Sequence, residues 1–328
     1  MNARTRFIAR IALLLLPLLV VSCASTPDPA RNPFSSQYPE ERPFPDSRFM
    51  SISSVRLHYR VWEPSQAAIG KIMLLPTEGG STATYRLLAE QLVSAGYAVL
   101  AVDLPAFGFS SLATDFEHTF AARAGLLWSL ADRIDTESNG FVPTRGWTLV
   151  GHGVGGQLAV VMAEQRAQRA EHLILIGSNV DDAANPSGFM WFPPVRWALR
   201  AWLNESIYTV EGVTELLSDA YGRPATEAEV ALYAAPLLRD GMADAYINYR
   251  RTAGQTQFRL EELDVSVLLL AGDLDERVDP EVITRTADRI PDATYVIMDG
   301  AAHLPMETHV SETVEAMLSL ISAATGEE

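Results

Sequence analysis

Cysteine is almost absent from this sequence, since Cys23 is the only one among 328 residues. The chain therefore cannot form an intrachain disulfide. It also lacks CxxC and HExxH motifs and any cluster of histidine and cysteine residues, which are the spacings that hold zinc and related metals. We expect no metal site and no cofactor.

Positive charge is also scarce. Lys and Arg total 25 against 41 Asp and Glu, which gives a formal net charge of −16 at pH 7. Because nucleic-acid binding needs a positive field that displaces counterions from phosphates, we expect no nucleic-acid partner. Hydrophobic residues at 48% and charged residues at 20% are typical of a globular protein rather than a disordered chain.

A hydrophobic run long enough to span a bilayer is missing from the N-terminal region. The apolar run from Ile11 to Val21 falls short of the about 20 residues that a spanning helix needs. Arg4, Arg6 and Arg10 precede this run. A basic start followed by a short apolar segment predicts a signal peptide over residues 1–22.

The end of this apolar run resembles the lipobox of bacterial lipoproteins, since it reads Val20-Val21-Ser22-Cys23. The resemblance implies that Cys23 is the lipidated first residue of the mature chain and anchors it to a membrane of the cell envelope. Alanine at position 24, in place of aspartate, implies the periplasmic face of the outer membrane. A plain signal peptide with an incidental cysteine is the alternative. Residues 23–46 are rich in Pro, Ser and charged residues, which predicts a flexible tether.

Beyond residue 46, predicted strands and helices alternate, which is typical of an α/β fold with a parallel sheet and helices on both faces. The alternating pattern from Met50 to Trp62 predicts a β-hairpin whose outward residues include Ser53, Arg56 and His58. Short apolar runs bounded by turn residues predict buried strands. These runs cover residues 71–75, 97–102, 147–150, 172–176, 265–271 and 294–298, and helical periodicity covers residues 84–95, 116–134 and 154–168.

One segment interrupts this alternation. Residues 180–257 contain no buried strand, only helical patterning with many aromatic residues. We interpret the segment as a helical cap, or lid, inserted after the sixth strand, which divides the core into residues 47–179 and 258–328. An ordinary pair of core helices is the alternative. The aromatic content favours an apolar small molecule or an acyl ester as the ligand.

The segment from Leu149 to Gly156 reads LVGHGVGG and lies between a predicted strand and a predicted helix. It resembles the G-x-S-x-G nucleophile elbow of the α/β-hydrolase family, which implies that fold with a mostly parallel eight-stranded sheet. The resemblance places Gly153 at the nucleophile position and makes the amide of Val154 an oxyanion-hole donor. A glycine-rich loop that cradles a phosphate is the alternative.

Two later segments resemble the remaining catalytic loops of this family. Residues 271–280 read AGDLDERVDP, which is similar to the acid loop and implies that Asp275 orients a histidine. Residues 299–305 read DGAAHLP and identify His303 as the base. The order of elbow, acid and histidine is the family order. Residues 103–110, reading DLPAFGFS, resemble a turn with a structural role in the family.

The sequence departs from the family pattern at two places that serve the same chemistry. Gly153 has no side chain that could attack an ester. In the loop after the third strand, Pro76 and Thr77 replace the usual His-Gly, so Glu78 takes the position of the second oxyanion-hole amide. A Glu78 carboxylate that faced the site would repel a developing oxyanion.

No substitute nucleophile stands at the right position. Ser81, Ser110 and Ser178 occupy neighbouring loops where the family uses such residues for structure, and His152 is predicted to be a packing residue.

Two functional hypotheses follow. In the first, the protein has no serine-hydrolase activity and uses the fold to bind a ligand or a partner. In the second, the His303–Asp275 pair activates a water molecule in the space that Gly153 leaves, and hydrolyses an apolar ester or lipid directly. A third possibility is an engineered replacement of the serine by Gly153.

Overall fold

The computed structural model describes residues 31–112, 115–137, 146–180 and 192–325. The predicted signal peptide, Cys23 and the first part of the predicted tether lie outside these residues. Eight strands form one sheet in the order β1-β2-β4-β3-β5-β6-β7-β8. The strands are β1 (Arg48–Ile52), β2 (Val55–Trp62), β3 (Gly70–Leu75), β4 (Tyr97–Val102), β5 (Trp147–His152), β6 (Ala170–Ile176), β7 (Ser266–Gly272) and β8 (Ala293–Met298).

β2 pairs antiparallel with both β1 and β4, and the pairs among β3 to β8 are parallel. Strands β3, β4 and β5 are buried along their whole length, because helices cover both faces of a parallel sheet. The eight-stranded, mostly parallel sheet of an α/β hydrolase is thus confirmed. The helices that flank it are α1 (Arg86–Ser94), α2 (Phe120–Glu137), α3 (Val154–Gln165), α8 (Pro280–Ala287), α9 (Pro305–Thr308) and α10 (Val310–Thr325).

Among the residues described between β6 and β7, four further helices lie inside the segment predicted as a cap. They are α4 (Pro193–Trp202), α5 (Val210–Tyr221), α6 (Glu227–Leu237) and α7 (Met242–Thr252), and we call them the cap helices. A single turn of π-helix, Leu203–Ile207, follows α4 directly. Thr226 begins α6 with a capping box to Glu229, and Gly222 ends α5 in the left-handed conformation with φ 64°.

The N-terminal segment differs from the predicted tether. Residues 31–46 pack on the folded domain: Phe44 is buried against Phe109 and Ala235, and Asp46 forms an ion pair of 2.9 Å with Arg60. The prediction of a flexible tether is therefore wrong for these residues, because the segment buries an aromatic side chain instead of remaining in solvent.

The same segment explains a second error. His58 was predicted to face outward from the hairpin, but it is fully buried. Its Nδ1 lies 2.7 Å from Asp103 Oδ2 and its Nε2 lies 2.8 Å from Ser47 Oγ, and Phe44 packs beside its ring. Asp103 also accepts the amide hydrogen of Phe109 at 2.7 Å, which fits the structural role expected for this turn.

Among the described residues, no helix is both long enough and apolar enough to cross a membrane. No group of three or more potential metal-ligating side chains occurs in the same parts of the chain.

Candidate active site

The candidate residues follow the carboxyl ends of four parallel strands. Thr77 and Glu78 follow β3, Gly153 follows β5, Asp275 follows β7, and His303 follows β8. Because the carboxyl ends of parallel strands meet at one edge of a sheet, these loops lie together.

Gly153 stands in the turn between β5 and α3, with φ 53° and ψ −120°. Its amide donates to the carbonyl oxygen of Ile176 at 3.0 Å. A Cβ atom at Gly151 would collide with the backbone of residues 155 and 156, and a Cβ at Gly155 would collide with the carbonyl of Leu75. Glycine at both places therefore permits the sharp strand-to-helix turn that the elbow motif predicts.

Thr77 occupies the space beside Gly153. The Cβ of Thr77 lies 3.0 Å from the position that a Cβ on Gly153 would take, and Thr77 Oγ1 lies closer still. The same Oγ1 accepts the amide hydrogen of Val154, with an N–O distance of 3.4 Å. The expected water-sized space at Gly153 is thus filled by a threonine side chain, which also binds the predicted oxyanion-hole donor.

His303 and Asp275 form a buried pair, in which His303 Nδ1 lies 2.8 Å from Asp275 Oδ2. Asp275 Oδ1 accepts the amide hydrogens of Arg277 at 2.8 Å and Val278 at 3.0 Å. Burial by itself raises the pKa of Asp275, but the hydrogen bonds from His303, Val278 and Arg277 hold that pKa below its ordinary value. Asp275 is therefore ionised at neutral pH and fixes the orientation of the imidazole.

His152 packs beneath this pair, with its ring centroid 4.5 Å from that of His303. Its Nε2 lies 3.0 Å from the carbonyl oxygen of His303. Burial lowers the pKa of His152 well below its ordinary value, so the residue is neutral. It supports the His303 loop, in agreement with the packing role expected from the sequence.

Glu78 directs its carboxylate toward α7. Its Oε1 accepts a hydrogen bond from the Tyr249 hydroxyl at 2.6 Å and another from Arg250 at 3.3 Å. The sequence left the direction of this side chain open. The structure places it in the wall of the cavity, where Arg250 offsets its charge.

The three serines considered as substitute nucleophiles make local structural hydrogen bonds. Ser81 Oγ accepts the amide hydrogen of Ala83 at 3.3 Å and begins a 3₁₀ turn. Ser110 Oγ donates to the Asp103 carbonyl at 2.6 Å, and Ser178 Oγ donates to the Ile176 carbonyl at 3.0 Å. Thr77 is the hydroxyl residue that sequence reasoning missed as a site residue. Because Leu75 of β3 pairs with Gly151 of β5, the loop after β3 must approach the elbow. Knowledge of the strand order would therefore have placed Thr77 beside Gly153.

A cavity of about 490 Å³ lies between these loops and the cap helices. This volume falls within the range of about 300–1,000 Å³ that is typical of small-molecule sites. His303, Thr77 and Glu78 line its polar side. Apolar side chains of the cap helices and the π-helical turn form the opposite wall, including Leu199, Leu203, Ile207, Val213 and Leu217.

A second cluster of titratable groups joins the His303 loop to the cap helices. Glu307, in α9, accepts hydrogen bonds from the hydroxyls of Tyr221 at 2.8 Å and of Tyr233. Tyr233 also lies 3.0 Å from Thr84 Oγ1, and both of these residues line the cavity. Burial raises the pKa of Glu307 to about 7, against the opposing effect of the two tyrosine hydrogen bonds. No sequence signal distinguished Glu307, because its partners lie far away in the chain.

Comparison with known proteins agrees with this architecture. The family model described as serine aminopeptidase, S33, matches residues 66–308. No curated protein sequence has a significant match to the chain.

Solved structures with the same fold include hydrolases. A probable hydrolytic enzyme from Pseudomonas aeruginosa PAO1 is 20% identical with a TM-score of 0.69, over 84% of this chain and 93% of that one. A membrane phospholipase A, described as a bacterial virulence factor, is 20% identical with a TM-score of 0.68, over 98% and 99% of the two chains. The enol-lactonase from Burkholderia xenovorans LB400 is 18% identical with a TM-score of 0.66, over 84% and 100%.

Proposed function

The chain belongs to the S33 serine aminopeptidase family of α/β hydrolases, and we propose that it binds an apolar ligand without covalent hydrolysis. The contact between Thr77 and Gly153 carries this proposal. An acyl-transfer enzyme of this fold needs a nucleophile at the elbow and free amides that stabilise the oxyanion. Gly153 supplies no hydroxyl, and Thr77 Oγ1 binds the amide of Val154.

The cavity suggests the class of ligand. Its cap-side wall is mostly apolar, while His303 and Thr77 offer polar groups on the core side and Arg250 offers one from α7. Such a site fits an acyl ester or a fatty acid, whose chain would contact the cap helices and whose polar end would face the sheet.

Binding can be tested with the fluorescent fatty acid cis-parinaric acid and with its methyl ester. Ile207→Trp places a larger side chain in the cavity wall and is expected to weaken binding of both probes at least tenfold, because the added volume competes with the ligand. Ile69→Trp, at an exposed position just before β3 and thus at the end of the strand opposite the site, is the matched control. Unchanged binding in the Ile207 variant would contradict the proposal.

Direct hydrolysis by water is the second candidate, and the buried His303–Asp275 pair favours it. In this reaction His303 would remove a proton from a water molecule in the cavity as the water oxygen attacks the ester carbonyl, and would return that proton to the leaving alcohol. Short 4-nitrophenyl esters provide the test, since His303→Ala should abolish turnover if the pair is used. Equal turnover by the wild type and this variant would exclude the reaction.

We also propose that Cys23 carries the lipid anchor that holds the protein at the periplasmic face of the outer membrane. The lipobox-like sequence supports this location. Intact mass measurement of the mature protein should show loss of residues 1–22 and acyl chains on Cys23. A Cys23→Ser variant should appear in the soluble fraction. An unmodified thiol at Cys23 would overturn the proposed anchor.

A further inference from the structure

An unusual apolar surface lies on α4, the first cap helix. Phe192, Trp197 and Trp202 are 57%, 63% and 52% exposed, and no residue of this helix is buried. With about 100° of rotation per residue, Trp197 and Ala201 lie about 40° apart around the helix, and Trp202 lies about 100° further, so the three span about 140° of its circumference. We call this side, together with Phe192, the α4 face.

Basic residues border the α4 face. Arg196 and Arg200 stand one turn apart on the neighbouring side of the helix, although the chain as a whole is strongly acidic. Arg200 pairs with Asp244 at 3.0 Å, and both of these side chains are largely exposed, so the pair is weak. Tryptophan beside arginine is typical of helices that lie in the interface of an anionic bilayer.

The start of the described chain lies next to the same face. The Arg31 side chain donates a hydrogen bond to Asn204 Oδ1, two residues after the end of α4, and Asn32 Nδ2 donates to the Ala235 carbonyl in α6 at 3.0 Å. Cys23 stands eight residues before Arg31. Eight residues reach at most about 29 Å, so an anchored Cys23 brings the end of α4 close to the lipid headgroups.

From these observations we propose that the α4 face docks on the lipid bilayer beside the anchor. The proposal rests on the lipid anchor in the proposed function. Phe192, Trp197 and Trp202 insert among the headgroups and upper acyl chains, and Arg196 contacts phosphate groups of anionic lipid.

Docking would connect the bilayer with the cavity. Trp202 is half exposed and lines the cavity at the same time, and Leu199 and Leu203 line it from the same segment. The α4 segment is therefore the wall between the bilayer and the ligand site. An apolar ligand passing beside it would enter from the membrane without crossing water.

The single native cysteine makes this surface easy to probe. In the lipidated protein the Cys23 sulfur is a thioether, so a cysteine introduced by Ala201→Cys is the only free thiol. An environment-sensitive nitrobenzoxadiazole label at this position reports contact with vesicles of phosphatidylethanolamine and phosphatidylglycerol. Tyr295→Cys, on the edge strand β8 and 50% exposed, is the matched control.

We expect the label at position 201 to become severalfold brighter in vesicles and to be quenched by brominated lipid, whereas the label at position 295 stays unchanged. Adding Trp197→Gln to Ala201→Cys should reduce the effect. No change at position 201, or an equal change at both positions, would overturn docking. A change that follows protein concentration instead of lipid would assign the face to a second copy of the chain and would also overturn it.

This experiment distinguishes a failure of the proposed lipid anchor from a failure of the proposed docking face. Labelling of the protein without an introduced cysteine would show that Cys23 is not lipidated, which overturns the anchor alone. The response of position 201 to added vesicles still tests the α4 face in that case.

Discussion

Thr77 and Gly153 form a complementary pair, in which the threonine side chain fills the space that a side chain at residue 153 would need. The two residues belong to loops after neighbouring strands, β3 and β5. The threonine hydroxyl oxygen also accepts the amide hydrogen of Val154. A change at one residue of this pair therefore has consequences that depend on the other.

Restoring a serine tests this dependence. Gly153→Ser alone should give little ester hydrolysis, because the new side chain collides with Thr77 and the Val154 amide stays occupied. Gly153→Ser with Thr77→Gly should hydrolyse 4-nitrophenyl butyrate on the order of 100-fold faster than the single variant, since one oxyanion donor is worth about 100-fold to 1,000-fold. Adding His303→Ala is the control and should remove the gain. Equal rates for the single and double variants would show that Thr77 does not block the site.

Glu307 predicts a pH dependence of stability. Packing around the carboxyl raises its pKa to about 7 in the folded protein, from an ordinary value of 4.5. Tyr221, Tyr233, Glu229 and Arg223 are the titratable and charged groups that act on it. The folded chain keeps a proton that the unfolded chain loses, so the free energy of unfolding falls between pH 4.5 and about pH 7 and is level above that range.

Across this pH range Glu307 lowers the free energy of unfolding by an amount on the order of 3 kcal/mol. Glu307→Gln keeps the shape of the side chain and removes its titration. Urea denaturation at about pH 5 and about pH 8 should show a larger loss of stability in the wild type than in this variant. Parallel pH profiles for the two proteins would contradict the assignment.

Loss of the buried His58–Asp103 contact is expected to lower the stability of the fold without changing ligand binding. Removing the acceptor of several buried hydrogen bonds costs about 3–5 kcal/mol, because each buried donor left without a partner costs about 1–3 kcal/mol. Asp103→Ala should lower the free energy of unfolding by this amount, because His58 and the amides of Thr82 and Phe109 lose their acceptor. Under conditions where the variant remains folded, its affinity for cis-parinaric acid methyl ester should equal that of the wild type.

Glu78 predicts selectivity between charged and neutral ligands. Its carboxylate stands beside Arg250 in the cavity wall and repels an incoming fatty-acid carboxylate. Glu78→Gln should tighten binding of cis-parinaric acid about fivefold, which corresponds to roughly 1 kcal/mol. Binding of the methyl ester should not change, and Glu262→Gln, an exposed substitution outside the cavity, is the control. An equal gain for both probes would contradict a charge effect.

The sheet could be predicted from the sequence because strands buried on both faces leave continuous apolar runs. Residues 97–102 show this well, since the predicted and observed bounds of β4 coincide. The predicted helix over residues 84–95 begins as a 3₁₀ turn, Thr82–Tyr85, before α1. The local sequence pattern does not distinguish a first turn of 3₁₀ helix from a first turn of α-helix.

The errors have a common physical origin in long-range packing. His58 follows the alternation of an exposed strand, but Phe44 covers it from the segment predicted as a tether and Ser47, the next residue after that segment, bonds its ring. Asp275 and His303 were found through their motifs. Thr77 was not, because its role depends on the order of β3 and β5 in the sheet.

Labelling of the intact protein with a fluorophosphonate probe shows whether any residue performs covalent catalysis. Mass spectrometry after prolonged exposure to the probe should find no covalent adduct on any residue, including Thr77. The same sample should still bind cis-parinaric acid reversibly. A stoichiometric adduct that requires His303 and maps to Thr77, or to any serine, would show that the protein does form a covalent intermediate.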